Sequence, residues 1–208
     1  MLRLGPRAIV VALLLALGLV GGCGTDSAAP NPPTADTAEA LKAKFVEMIA
    51  LAKAKRREDL IRFVRSLLPT RAELKAIVRE GADADAWLSA YAGPTVENAP
   101  ADKGGEPDPA ASQRTEIHVY AATTEEIAAY VKGSVAMMEF PGGMQRFAQR
   151  VAAPGRTWYT VKAVEPGQAS GTRYTCLTNV GGHFVLVAKP WRAIPRAASS
   201  SAESDEPR

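Results

Sequence analysis

Thr157-Trp-Tyr-Thr-Val-Lys-Ala-Val-Glu165, Thr172-Arg-Tyr-Thr-Cys-Leu-Thr-Asn-Val180 and His183-Phe-Val-Leu-Val-Ala-Lys189 decide the fold of this chain. Each run is rich in β-branched and aromatic residues, and each is bounded by turn formers. Gly181-Gly182 joins the last two with two residues that both accept positive φ, which predicts a tight hairpin. Pro166-Gly167 through Gly171 predicts a longer turn between the first two. The third strand is expected to run on towards Ile194. Upstream, Glu116 to Ala121 alternates, with Ile117 and Val119 on one face and His118 and Tyr120 on the other. The four segments together predict an antiparallel meander.

Between Ala121 and Thr157 the reading is mixed. Thr123 and Glu126 have capping-box spacing and open a short helix reaching Lys132. Ser134 to Phe140 reads as a strand, and Pro141-Gly142-Gly143 as a turn. Met144, Phe147, Ala148 and Val151 then recur at helical spacing.

The first half of the chain is helical. Asp36 and Glu39 are spaced as a capping box, followed by Leu41, Phe45, Met48, Ile49 and Ala52 at helical intervals. The charged run Lys53 to Asp59 interrupts this helix. Leu60, Phe63, Val64, Leu67 and Leu68 form a second stripe, stopped by Pro69. Thr70 and Glu73 open a third helix with Leu74, Ile77 and Val78 inward, ended by Gly81. An amphipathic piece from Asp83 to Tyr91 buries Trp87 and Leu88. Helices followed by a meander predict an α+β fold, with N-terminal amphipathic helices packed on a C-terminal curved antiparallel sheet.

Composition marks the boundaries. The 208 residues are 47% hydrophobic and 23% charged, the balance of a globular protein and not of a disordered or fibrous one. Residues 36–92 form the helical segment and 114–194 the β-rich segment of one domain. Residues 93–113 hold four prolines and three glycines, a linker or long loop. Residues 195–208 read as a disordered tail. The element order, with Phe184-Val-Leu-Val-Ala-Lys-Pro-Trp-Arg192 closing the sheet, resembles the NTF2-like cone. A cystatin-like helix on a sheet is the alternative.

The N-terminus carries an address. Arg3 and Arg7 precede an uncharged run from Ala8 to Val20, which is shorter than the roughly 20 residues a spanning helix needs. Val20-Gly21-Gly22-Cys23 follows. This resembles the lipobox of bacterial lipoproteins. The resemblance implies removal of residues 1–22 and lipidation of Cys23, with 23–35 as a flexible tether whose prolines keep it extended. Two or three acyl chains, at roughly 0.8 kcal/mol per buried CH2, make a durable anchor. The implied location is the cell envelope, and Gly24 after the cysteine favours the outer membrane where the host has one. Processing also lowers the net charge of +3, because Arg3 and Arg7 are lost.

Few residues suggest chemistry. One cysteine, Cys176, remains after processing, and it reads as a buried inert thiol. His118 and His183 lack the Ser-His-Asp or HExxH companions of a catalytic or zinc site. Glu125-Glu126 suit a helix start. Gly104-Gly105 and Gly142-Gly143 lack the context of a phosphate loop. The basic run Lys53 to Arg57 carries no aromatic, which argues against nucleic acid. No cofactor and no metal are expected. Trp158, Tyr174, His183 and Trp191 are candidates to line a pocket on the concave face of the sheet.

The expectation is therefore a membrane-anchored lipoprotein with a non-catalytic binding or interaction domain, serving an envelope protein or a small hydrophobic ligand. Two alternatives stand beside it. One is an NTF2-like enzyme or ligand binder using a pocket acid or His183. The other is a structural protein whose basic helices contact membrane or peptidoglycan.

Overall fold

Four antiparallel strands run in sheet order β1-β2-β3-β4, so each neighbour in sequence is a neighbour in space. They are β1 (Glu116–Thr123), β2 (Thr157–Val164), β3 (Gly171–Val180) and β4 (His183–Leu186). The computed structural model describes residues 35–98 and 113–194. Cys23, the rest of the tether before residue 35, residues 99–112 of the expected linker and the tail from 195 lie outside the described residues. Seven helices accompany the strands among the described residues. Four precede the sheet: α1 (Ala38–Lys53), α2 (Arg57–Arg65), α3 (Arg71–Ala76) and α4 (Ala82–Ala90). Three lie between β1 and β2: α5 (Thr124–Ala129), α6 (Val135–Glu139) and α7 (Gly142–Arg150). The fold is α+β.

The period of two along β2 divides the interior. Tyr159, Val161 and Ala163 join Leu41, Phe45, Met48, Ile49, Leu60 and Phe63 in a core shared with α1 and α2. Trp158, on the opposite face, joins Leu74, Ile77, Trp87, Ile127, Met144 and Phe147 in a second core with α3, α4, α5 and α7. The sheet is the middle of three layers, with its N-terminal helices split between its faces. Buried apolar residues of the sheet fall on both faces, Trp158 and Cys176 on one and Tyr159, Val161 and Leu177 on the other, and helices cover both.

Register across β2 and β3 slips once. Tyr159 pairs with Leu177 but Thr160 pairs with Thr175, leaving Cys176 as an extra residue at φ 68°. This β-bulge places both Tyr174 and Leu177 on the α1 side, three positions apart, where strict alternation would oppose them.

Several local expectations are corrected. Ser134–Phe140 is not a strand: the Ser134 hydroxyl caps the amide of Met137 and the chain forms α6. Pro141-Gly142-Gly143 is not a turn: Pro141 is the N-cap of α7, and both glycines are in its first turn. The reason for Gly143 is contact, since a Cβ there would stand 2.4 Å from Cγ of Trp191. Asp36 does not cap α1. Thr37 does, accepting from the amide of Ala40 at 3.1 Å, while Asp36 accepts the Tyr159 hydroxyl at 2.9 Å. Gly81 does not end α3, which stops at Ala76; it is the N-cap of α4 at φ 128°. The chain leaves α3 because residues 77–79 pair instead with 151–153, through Arg79 N–H to Val151 O and Ala153 N–H to Ile77 O. The last strand ends at Leu186, and Trp191 belongs to a closing 3-10 helix, Pro190–Ala193.

Candidate functional site

The four residues expected to share a pocket divide between the two cores and the α2–α3 corner. Trp158 is fully buried, donates to the Thr124 hydroxyl at 3.1 Å and meets Phe147 edge-on. Tyr174 faces the other core and packs on Phe45, ring centroids 5.0 Å apart. Trp191 lies on Gly143 of α7. His183 follows the hairpin turn, with Nδ1 2.5 Å from Glu73 Oε1 and Nε2 against the carbonyl of Ser66. Both ring nitrogens thus face oxygen acceptors. Partial burial raises the Glu73 carboxyl, but the bonds from His183 and Thr70 outweigh it and hold the group below its ordinary value. The other Glu73 oxygen closes the Thr70 capping box. The cluster therefore ties the α2–α3 corner to the hairpin.

Cys176 is equally committed. It is fully buried, and burial pushes its thiol up to about 12, so the nucleophilic thiolate is absent near neutrality. Its Sγ lies 3.6 Å from Met144 Sδ.

A recess lies where the chain bends after the last strand. Helix α4 presents Trp87 and, just past its end, Tyr91, whose rings stack at 4.7 Å. Trp87 Nε1–H donates to the carbonyl of Pro190 at 2.7 Å. The Tyr91 hydroxyl donates to the carbonyl of Ala188 at 3.1 Å. Burial pushes that hydroxyl up to about 12, so it stays a neutral donor. Two indole and phenol donors thus grip the backbone on either side of Lys189. Between them Lys189 adopts φ 50° and ψ 52°, the left-handed region. This is unfavourable twice over: a side chain is crowded there, and a residue before proline prefers extended backbone.

The bend and the end of α4 enclose a cavity of about 410 Å³, walled by Ala90, Tyr91, Pro94 and Ala193. Gly93 lets the wall close, because a Cβ there would stand 2.1 Å from Tyr91 Cζ. The charged residues lining the cavity are Lys189 and Arg192, with no carboxylate beside them among the described residues. The recess thus combines an apolar floor with two cations, the polarity pattern of a ligand pocket.

A second groove, of about 370 Å³, lies on the sheet face beyond α6, lined by Glu116, His118, Tyr120, Lys162 and Gln168. His118, Lys162 and Arg173 are direct cross-strand partners in one row. Glu116 lies 3.0 Å from His118, and Glu139 3.1 Å from Arg173. This groove is polar and largely self-neutralised, unlike the recess at Tyr91.

Sequence reading missed Tyr91, Lys189 and Arg192. Nothing in Lys189-Pro190 announces a left-handed lysine, since the preference before proline points the other way. Compared with protein-family models, curated proteins and solved structures, the chain gives no match.

Proposed function

We propose that this protein is a lipid-anchored component of the bacterial cell envelope whose α+β domain binds a small ligand without transforming it. The observation that carries the reading is the recess between Tyr91 and Arg192: preformed, apolar-floored and charged on one side. Cys176 and His183, which would serve an enzyme, are taken up by the core and by Glu73. The anchor rests on Val20-Gly21-Gly22-Cys23 and the preceding apolar run. Two measurements test the two halves. Fatty-acid labelling of the chain is expected to disappear in Cys23→Ser, and persistent labelling would remove the anchor. Titration of small apolar-bodied probes is expected to raise the unfolding temperature, because a ligand bound only by the folded state stabilises it. A Gly93→Phe variant, filling the recess wall, should abolish that rise.

A second reading is direct contact with the bilayer. Val131, Val135, Met137 and Met138 are 62%, 39%, 42% and 59% exposed and lie within one short stretch around Lys132. Such a concentration of exposed apolar side chains suits an interface. Unacylated protein binding to anionic vesicles, weakened by Met138→Glu and by salt, would support it; no binding at low salt would end it.

A further inference from the structure

We infer that the recess is specific for an acid: a small amphipathic molecule whose carboxylate or phosphate is held by Lys189 and Arg192 while its apolar body lies on Tyr91 and Pro94. The inference rests on the ligand-binding reading above and names the chemistry of its ligand. Three observations carry it.

The first is charge. Both charged groups of the lining are cations, and neither forms an ion pair with a described residue. Some cations elsewhere are paired locally, Arg150 with Asp83 and Arg173 with Glu139. The two cations of the recess have no such partner, so an anion arriving there meets charge that no described carboxylate offsets.

The second is polarity. Ala90, Pro94, Ala193 and the Tyr91 ring line the rest of the cavity. A purely inorganic anion would leave these surfaces against water. An acid with an aromatic or short alkyl body covers both parts at once.

The third is backbone strain. Lys189 holds a left-handed conformation that glycine would adopt at no steric cost. Gly181 and Gly182, in the same region of conformational space a few residues earlier, do so. The Lys189 side chain makes no hydrogen bond that the fold uses among the described residues, so stability alone would favour glycine here. Lys55 and Tyr130 share this region of backbone space, so the strain supports the inference only together with the charge and the recess.

The full chain in mild detergent, titrated by calorimetry with phenylacetate, phenyl phosphate and the neutral phenylacetamide, tests this. One or both acids are expected to bind at least about tenfold tighter than the amide, as befits charge-assisted bonds. The preference should shrink between 0.05 and roughly 0.5 M salt as screening shortens. Whichever acid binds tighter identifies the anionic group. Lys189→Gly is the decisive variant: its unfolding temperature should rise while its preference for acid over amide falls. A purely structural lysine would move only the first. Arg192→Gln should weaken the acids and leave the amide unchanged. Equal binding of acid and amide would overturn the inference and leave a neutral ligand recess standing. Binding of neither probe would overturn both readings. An undiminished acid preference in Lys189→Gly and in Arg192→Gln would remove these two residues as the anion's partners.

Discussion

The hairpin at Gly181-Gly182 and the bend at Lys189 stand close together in the chain and use the same left-handed backbone, yet they are built on opposite terms. At the hairpin the positive φ is given to glycines, and the polar side chain that follows is committed to the fold. His183 spends both nitrogens, and Glu73 answers it while closing a capping box. At the bend the positive φ falls on a lysine before proline, and two cations are left facing a cavity. The first arrangement holds structure together. The second is held together by structure, chiefly by Trp87 and Tyr91, and has capacity to spare. Saturation of polar groups, more than their presence, separates a structural cluster from a binding one.

Experiments can break or sharpen this contrast. The largest effect is expected at the grip on the bend. Trp87 is fully buried and donates to Pro190, so Trp87→Ala should cost about 3–5 kcal/mol in urea unfolding and abolish probe binding. A loss of binding with stability unchanged would show that the indole does not hold the bend.

Next comes the saturated cluster. Glu73→Gln removes a helix-capping carboxylate and the partner of His183, at about 1–2 kcal/mol by denaturant unfolding at neutral pH. The same pair sets a pH dependence. The folded-state pKa of Glu73 is lowered, so the unfolded chain binds the proton more readily. Its contribution is fully present above the ordinary value of 4.5 and is lost as pH falls through the lowered value. The stability difference between the wild type and Glu73→Gln should therefore narrow as pH falls below 4.5. A difference independent of pH would show that the carboxylate charge contributes nothing.

Smaller and opposite in sign are the two left-handed positions. Gly181→Ala should lose about 1 kcal/mol, because alanine is crowded at its φ of 60°. Lys189→Gly should gain up to about 1 kcal/mol, the relieved strain being partly offset by the greater freedom of unfolded glycine. Equal signs in the two melts would erase the contrast. The smallest effect is on the sheet face, where Lys162 lies directly opposite both His118 and Arg173. Lys162→Thr should gain a few tenths of a kcal/mol from a lost like-charge contact and better strand propensity, leaving probe binding at the bend unchanged.

How much of this was legible differs element by element. The Thr70–Glu73 and Thr123–Glu126 boxes read correctly because both partners lie within one helical turn and compete with nothing else. The alternation of β1 and the Gly181-Gly182 hairpin read correctly for the same local reason. Asp36 had the right spacing for a cap, but the Tyr159 hydroxyl reaches it from a distant strand. Gly142-Gly143 had the composition of a turn, but its lack of side chain serves the ring of Trp191. Ser134–Phe140 was too short for its period to declare itself, and a single hydroxyl cap settled it as helix. The four aromatic and histidine positions expected in one pocket were dispersed by a bulge at Cys176 and by helices on both faces of the sheet.

The sequence by itself determined the kinds of element, their order, the α+β class and most residues of both cores, because those follow from period, propensity and caps acting over a few residues. The split of helices between the two faces, the bulge, and the recess with Lys189 and Arg192 were decided only by tertiary structure. Each depends on groups that meet from far along the chain, such as Trp87 on Pro190 and Tyr91 on Ala188. No local pattern encodes a backbone conformation that exists because two distant aromatic donors hold it there.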